Sequence, residues 1–116
     1  MEIDVEFGYE AAHYLPNVPP GHKCGTMHGH SYRLSVVVEG DVDEFSGWVM
    51  DFADVRAAVE PFVAVLDHSL LNDLIDNPTV ENQLRWLWDK ITLPGMSRLI
   101  LSETEHASAT YYGPND

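Results

Sequence analysis

The first thirteen residues constrain the fold most. Ile3, Val5, Phe7, Tyr9 and Ala11 hold the odd positions, and Asp4, Glu6, Gly8 and Glu10 alternate with them. That period of two predicts a β-strand with one buried face and one polar face. His13 continues the apolar phase. A second period-two run starts near His28 and reaches about Glu39, with Tyr32, Leu34, Val36 and Val38 in one phase. His28 and His30 lie in that same phase. Between the two runs, residues 15–27 (LPNVPPGHKCGTM) carry three prolines and two glycines, which predicts a loop. An ordered loop of this length is commonly functional.

After a turn over residues 40–47 the period changes. Asp51 can cap a helix, and Phe52, Val55, Val59, Phe62, Val63 and Leu66 recur at helical spacing. Pro61 inside this run predicts a bend. The segment DHSLLNDLIDNP breaks the pattern. Thr79 caps a second helix whose apolar stripe is Val80, Leu84, Leu87, Trp88 and Ile91, ended by Pro94 and Gly95. Residues 98–104 and 107–112 read as two further strands joined by a tight turn. The expectation is an α+β class: a four-stranded antiparallel sheet with two helices on one face. At 116 residues the chain is expected to form a single domain, 1–116.

Composition narrows the partners. Nineteen acidic residues against six basic ones give a formal charge of −13, which repels nucleic acid and anionic membranes. The plain reading is a solvated acidic surface; a sharper one is adaptation to high salt. No run of 18 apolar residues is present to cross a bilayer, and MEIDVEFGYE lacks the basic and apolar regions of a signal peptide. A cytoplasmic location without membrane or nucleic-acid partners is therefore expected. The lone cysteine, Cys24, excludes a disulfide within the chain.

The chemistry centres on His28-Gly29-His30. Residues i and i+2 of a strand point to one face, so these two imidazoles can grip a single metal ion. His13, in phase on the adjoining strand, can supply a third nitrogen. Three neutral imidazoles leave the fourth tetrahedral position of zinc open, as in catalytic sites. An H-x-H pair alone is a weak signal, and two hydrogen-bonded histidines would explain it equally. A mixed Cys24, His28 and His30 site is the rival metal set.

Three other features carry chemistry or a blander alternative. Asp67-His68 follows the first helix; the pair can move protons, or His68 can simply complement the helix macrodipole. Cys24 sits in GHKCG, where Lys23 and His22 favour a thiolate, or it is an ordinary packed thiol. Glu103 shares phase with Leu99 and Leu101. It can hold a ligand with paired N–H donors, or it forms a capped turn or a salt bridge with Arg98 or another basic residue.

Taken in order, FGYEAAHYLP, GHKCGTMHGHSY, GWVMDFADV, LDHSLLND, NPTVEN and SETE resemble the 6-pyruvoyltetrahydropterin synthase superfamily, nearest its carboxytetrahydropterin synthase branch of queuosine biosynthesis. The resemblance runs from about Val5 to Tyr112. It implies a zinc site of His13, His28 and His30. It implies Cys24 as catalytic proton acceptor and Asp67 and His68 as a relay pair. Glu103, with Thr104 beside it, would anchor the pterin and join the relay. It further implies the tunnelling fold, in which subunits of a homo-oligomer join their sheets into a barrel with active sites at the interfaces. The implied substrate is 7,8-dihydroneopterin triphosphate. The implied products are 6-carboxy-5,6,7,8-tetrahydropterin, acetaldehyde and triphosphate. A 6-pyruvoyltetrahydropterin synthase, a non-catalytic zinc-binding scaffold and a His-ligated zinc hydrolase are the alternatives.

Overall fold

The computed structural model describes residues 1–114. Both long period-two runs are strands: β1 (Glu2–His13) and β2 (His28–Glu39). They pair antiparallel along their full length without a bulge, so the odd positions of β1 stay on one face from Ile3 to His13. The helical runs give α1 (Phe52–Leu66) and α2 (Val80–Lys90). Asp51 caps α1 by accepting from the Ala53 N–H at 2.9 Å, and Thr79 caps α2 by accepting from Asn82 at 3.1 Å. Each cap satisfies a donor that the first helical turn leaves orphaned. α1 continues through Pro61, which lies on the exposed side next to the exposed Ala57, the carbonyl that loses its N–H partner.

The sheet has five strands, not four, and it is not wholly antiparallel. Its order is β3-β1-β2-β4-β5, where β3 is the two-residue segment Ser69–Leu70, β4 is Met96–Thr104 and β5 is Ala107–Tyr111. β3 runs parallel to β1, pairing Ser69 with Ala11 and Leu70 with Ala12. Two residues are too few for alternation to show in sequence. β4 starts at Met96, two residues before the expected Arg98, because the chain turns back at once after α2. Gly95 makes that turn at φ +77°, and a Cβ there would lie 2.6 Å from the Glu39 carbonyl oxygen. Only glycine permits this approach.

Both helices cover one face. α1 lies over β1 and α2 over β4 and β5. Val55, Val59, Val63 and Leu66 of α1 join Leu84 and Leu87 of α2 in a core with Val5, Leu34, Val36, Leu99 and Leu101. Truncating a fully buried leucine such as Leu101 to alanine would cost about 2–5 kcal/mol. The opposite face is open and carries Glu2, Asp4, Glu6, Glu10 and Arg33, all exposed. No described helix is long and apolar enough to cross a membrane. The packed layer thus holds β1, β2 and β4 in fixed register at the end where the histidines lie.

Candidate active site

Full-length pairing of β1 and β2 sets His13 opposite His28, with His30 opposite Ala11. Strand alternation puts all three rings on the helix-covered face. One ring nitrogen from each lies within 4.8 Å of the others, and among the described residues these three form the group placed to hold a metal ion. Cys24 is not a member. The arrangement therefore assembles His13, rather than Cys24, with His28 and His30.

Hydrogen bonding fixes the rings. Nδ1 of His13 lies 2.8 Å from the Pro78 carbonyl oxygen, and Nδ1 of His28 lies 2.7 Å from that of Thr26. A carbonyl only accepts, so each Nδ1 carries the proton and each neutral ring presents a bare lone pair at Nε2. The two Nε2 atoms are 3.0 Å apart. Lone pairs that close repel one another unless a cation or a proton joins them. Nε2 of His30 is buried with no hydrogen-bond partner among the described residues. Burial holds the His30 ring below the ordinary histidine value; His13 and His28 push the same way, and Glu103 opposes them. A neutral ring is the form a metal needs. Three converging nitrogens, two with their other nitrogen held by a backbone carbonyl, fit a metal ion with an open position.

Glu103 reaches this group from β4. Its Oε1 lies 3.3 Å from Nε2 of His30 and 3.5 Å from Nε2 of His13, with the side chain 30% exposed. The expected inward phase with Leu99 and Leu101 is what the structure has. Arg98 does not pair with Glu103; it donates to Glu2 at 2.8 Å. Thr104 closes the turn, its Oγ1 accepting from the His106 N–H at 3.2 Å.

Asp67 and His68 do touch. Nδ1 of His68 lies 2.9 Å from Oδ2 of Asp67. The other carboxylate oxygen accepts from the Glu10 N–H at 2.9 Å, and the His68 N–H donates to the Glu10 carbonyl. The Glu10 N–H first, and the His68 ring after it, hold Asp67 below its ordinary value. His68 has φ +57°, a left-handed conformation that costs a non-glycine residue energy and concentrates at functional sites. The pair is docked on β1 beside the histidine group. His68 and His30 line one cavity of about 550 Å³ with Glu10, Ser31 and Leu70. A second, of about 610 Å³, is bordered by His30, Ser31, Arg33, Ser102, Glu103 and Thr104.

Cys24 lies in the single turn Lys23–Gly25 of the loop, half-buried. Its carbonyl accepts from Leu15 at 2.8 Å and its N–H donates to Nδ1 of His22 at 3.1 Å. The loop's entry is clamped by Asn72, which accepts from the Tyr14 N–H and donates to the Tyr14 carbonyl. Sequence reasoning missed three groups beside His13: Gln83, the Pro78 carbonyl and Tyr32. The signal for Gln83 is a polar residue at a stripe position, between Val80 and Leu87.

Comparison with known proteins follows the same direction. A family model described as 6-pyruvoyl tetrahydropterin synthase matches residues 2–114. The chain is 37% identical over 119 residues to the 6-carboxy-5,6,7,8-tetrahydropterin synthase of Synechocystis sp., a match covering 94% of this chain and 91% of that one. It is 44% identical over 75 residues to the dihydroneopterin monophosphate aldolase of Pyrococcus furiosus, covering 63% of this chain and 64% of that one. The 6-pyruvoyl tetrahydropterin synthase of Caenorhabditis elegans has the same fold, with a TM-score of 0.88 at 24% identity over 97% of this chain and 95% of that one.

Proposed function

This chain belongs to the 6-pyruvoyl tetrahydropterin synthase family, and from that premise we propose that it is a zinc-dependent carbon–carbon lyase acting on 7,8-dihydroneopterin triphosphate. The products are 6-carboxy-5,6,7,8-tetrahydropterin, acetaldehyde and triphosphate, and the pathway is that of queuosine and related 7-deazapurines. The observation that carries the reading is the convergence of three imidazoles, one ring nitrogen of each within 4.8 Å of the others, with a carboxylate 3.3 Å from one of them.

His13, His28 and His30 hold the ion. Bound there, zinc supplies Lewis acidity that lowers the pKa of substrate hydroxyls. Glu103 accepts the paired N–H groups of the aminopyrimidinone edge and sets the ring's orientation, with Thr104 beside it. Cys24 takes a proton from a substrate carbon, and His68, oriented by Asp67, delivers one to a substrate oxygen, so that the pair moves protons between carbon and oxygen. The phosphate tail needs positive charge in an acidic protein. Among the described residues, Arg33 is the one lysine or arginine lining either cavity that borders His30. Assembly into a homo-oligomeric barrel with sites between subunits is part of the proposal. The unpaired outer edge of β5 supports it, since an exposed edge invites a further strand.

Incubation of zinc-loaded protein with dihydroneopterin triphosphate tests the reading: acetaldehyde should appear with a carboxylated pterin. An intact substrate would reject it. A pyruvoyl product would place the chain with the synthases that stop before carbon–carbon cleavage. The Pyrococcus furiosus match supports a second reading, an aldolase acting on the monophosphate. Turnover of dihydroneopterin monophosphate in preference to the triphosphate would favour it.

A further inference from the structure

We propose that Gln83 is a positioning residue for His13: through the Pro78 carbonyl it locks the ring in the tautomer whose Nε2 lone pair faces the ion. The inference rests on the metal reading above but concerns a residue of α2 that touches neither metal nor substrate.

The geometry is a run of polar groups inside an apolar core, with the Tyr32 hydroxyl 3.4 Å from either ring nitrogen of His13 at its end. Gln83 is fully buried, as is His13, and Tyr9 is 2% exposed. Tyr9 Oη donates to Oε1 of Gln83 at 2.8 Å. Nε2 of Gln83 donates to the Pro78 carbonyl at 3.1 Å, and that same oxygen accepts from Nδ1 of His13 at 2.8 Å. Burial pushes the Tyr9 phenol well above its ordinary value, so it keeps its proton and remains a donor. A phenol that donates to Oε1 leaves the amide only one orientation, with its NH₂ toward Pro78. The reverse orientation would set two carbonyl oxygens against each other.

Pro78 immediately precedes the cap of α2, where a peptide plane has no helical bond to fix it. Gln83 lies one turn into the helix, and its own N–H donates to the Thr79 carbonyl at 2.9 Å. Its side chain therefore ties the Pro78 carbonyl to the rigid part of α2. With both lone pairs of that oxygen taken, one by the amide and one by His13, the ring is held in plane and in tautomer. Without Gln83 the carbonyl is free to tilt. The buried ring can then turn or place its proton on Nε2, where it would oppose metal binding. A partner that orients a ligand histidine in this way typically accounts for about 10–100-fold in metal affinity.

The test uses the full chain in two states. In metal-free, ¹⁵N-labelled protein at mildly alkaline pH, long-range ¹H–¹⁵N spectra of the histidine rings report which nitrogen of His13 carries the proton. Wild type should show the Nδ1–H form alone. Gln83→Met keeps the side-chain volume and removes the amide, and should give a mixture of tautomers. Zinc affinity, measured by competition with a chromophoric chelator, should fall about 10–100-fold. Tyr9→Phe keeps the core filled and removes one of the two contacts that orient the amide; it should move both readouts the same way by less, and it serves if Gln83→Met does not fold. Overturning results are an Nε2–H form of His13 in wild type, or an unchanged spectrum together with zinc affinity within about twofold of wild type, small beside the expected loss. A wild type that binds no zinc would defeat the functional proposal, while the metal-free spectra would still decide this one.

Discussion

Oε1 of Glu103 lies 3.3 Å from Nε2 of His30, a buried nitrogen with no hydrogen-bond partner among the described residues. The two groups come from different strands and have different tasks in the proposed site, so their variants should separate. His30→Ala removes a ligand, and zinc affinity should fall by more than the roughly 10–100-fold that loss of an outer partner costs. Glu103→Gln keeps the three imidazoles and should keep the metal. It replaces a charge-assisted acceptor worth about 1.5–3 kcal/mol, so kcat/KM should fall by about 10–150-fold. Chelator competition and steady-state kinetics on both variants check the split; loss of metal in Glu103→Gln would make Glu103 a ligand instead.

Asp67 gives a pH dependence with a definite sign. Its folded-state value is lowered from 3.8, first by the Glu10 N–H and then by His68. The ionised form therefore stabilises the fold above the unfolded value. That contribution is lost as pH falls through the lowered folded value. Urea unfolding of metal-free wild type and Asp67→Asn should show wild type the more stable at neutral pH, with the gap closing in acid below 3.8. A gap independent of pH would mean that the amide breaks the site for steric reasons.

Arg33 should act on the phosphate tail alone. Arg33→Ala should raise KM for the triphosphate by about tenfold or more, the scale of one charge-assisted contact. kcat should change much less. Inhibition by a neopterin without phosphates should not move, because such a ligand offers Arg33 nothing to bind. An equal loss for both ligands would place Arg33 in the structure of the sheet rather than in phosphate recognition.

The formal charge of −13 predicts salt stabilisation. Glu2, Asp4, Glu6 and Glu10 follow one another along the open face of β1; Glu2 is paired with Arg98 and Glu10 accepts from Ser31. Screening shortens the reach of their repulsion from about 10 Å at 0.1 M salt to about 3 Å at 1 M. Melting temperature should therefore rise between low and molar KCl, and a flat or falling curve would reject the high-salt reading of the composition.

The strands and the histidine group were legible because one rule governs both. Alternation that buries Tyr9 and Tyr32 also turns His13, His28 and His30 to the same face, and unbroken pairing of β1 with β2 completes the site. Glu103 followed from the same rule on β4. β3 was not legible: Ser69 and Leu70 become a strand because Asp67 and His68 bond to Glu10 of β1, a contact between residues 57 positions apart. Gln83 was missed: it is a polar residue in the apolar stripe of α2, and its partner Tyr9 lies 74 positions away. Periodicity reports which face a residue occupies, and long-range polar partners lie outside what it can report.

Cys24 carries the sharpest remaining prediction, because the loop holds it by backbone bonds. Its carbonyl and N–H anchor Leu15 and His22, interactions that any residue except proline can make at this position. Cys24→Ala should therefore preserve the loop, and the three-histidine group, to which Cys24 does not belong, should bind zinc with unchanged affinity. What the variant loses is a group able to take a proton, and proton transfer by a positioned side chain typically contributes about 10²–10⁴-fold. Turnover of dihydroneopterin triphosphate should fall by that factor while zinc content and melting temperature match wild type. Cys24→Ser, which keeps a weaker acid at the same place, should fall between the two. If Cys24→Ala turns over normally, the thiol has no part in the reaction, and the proton acceptor must be sought among the side chains that line the His30 cavities, His68 first.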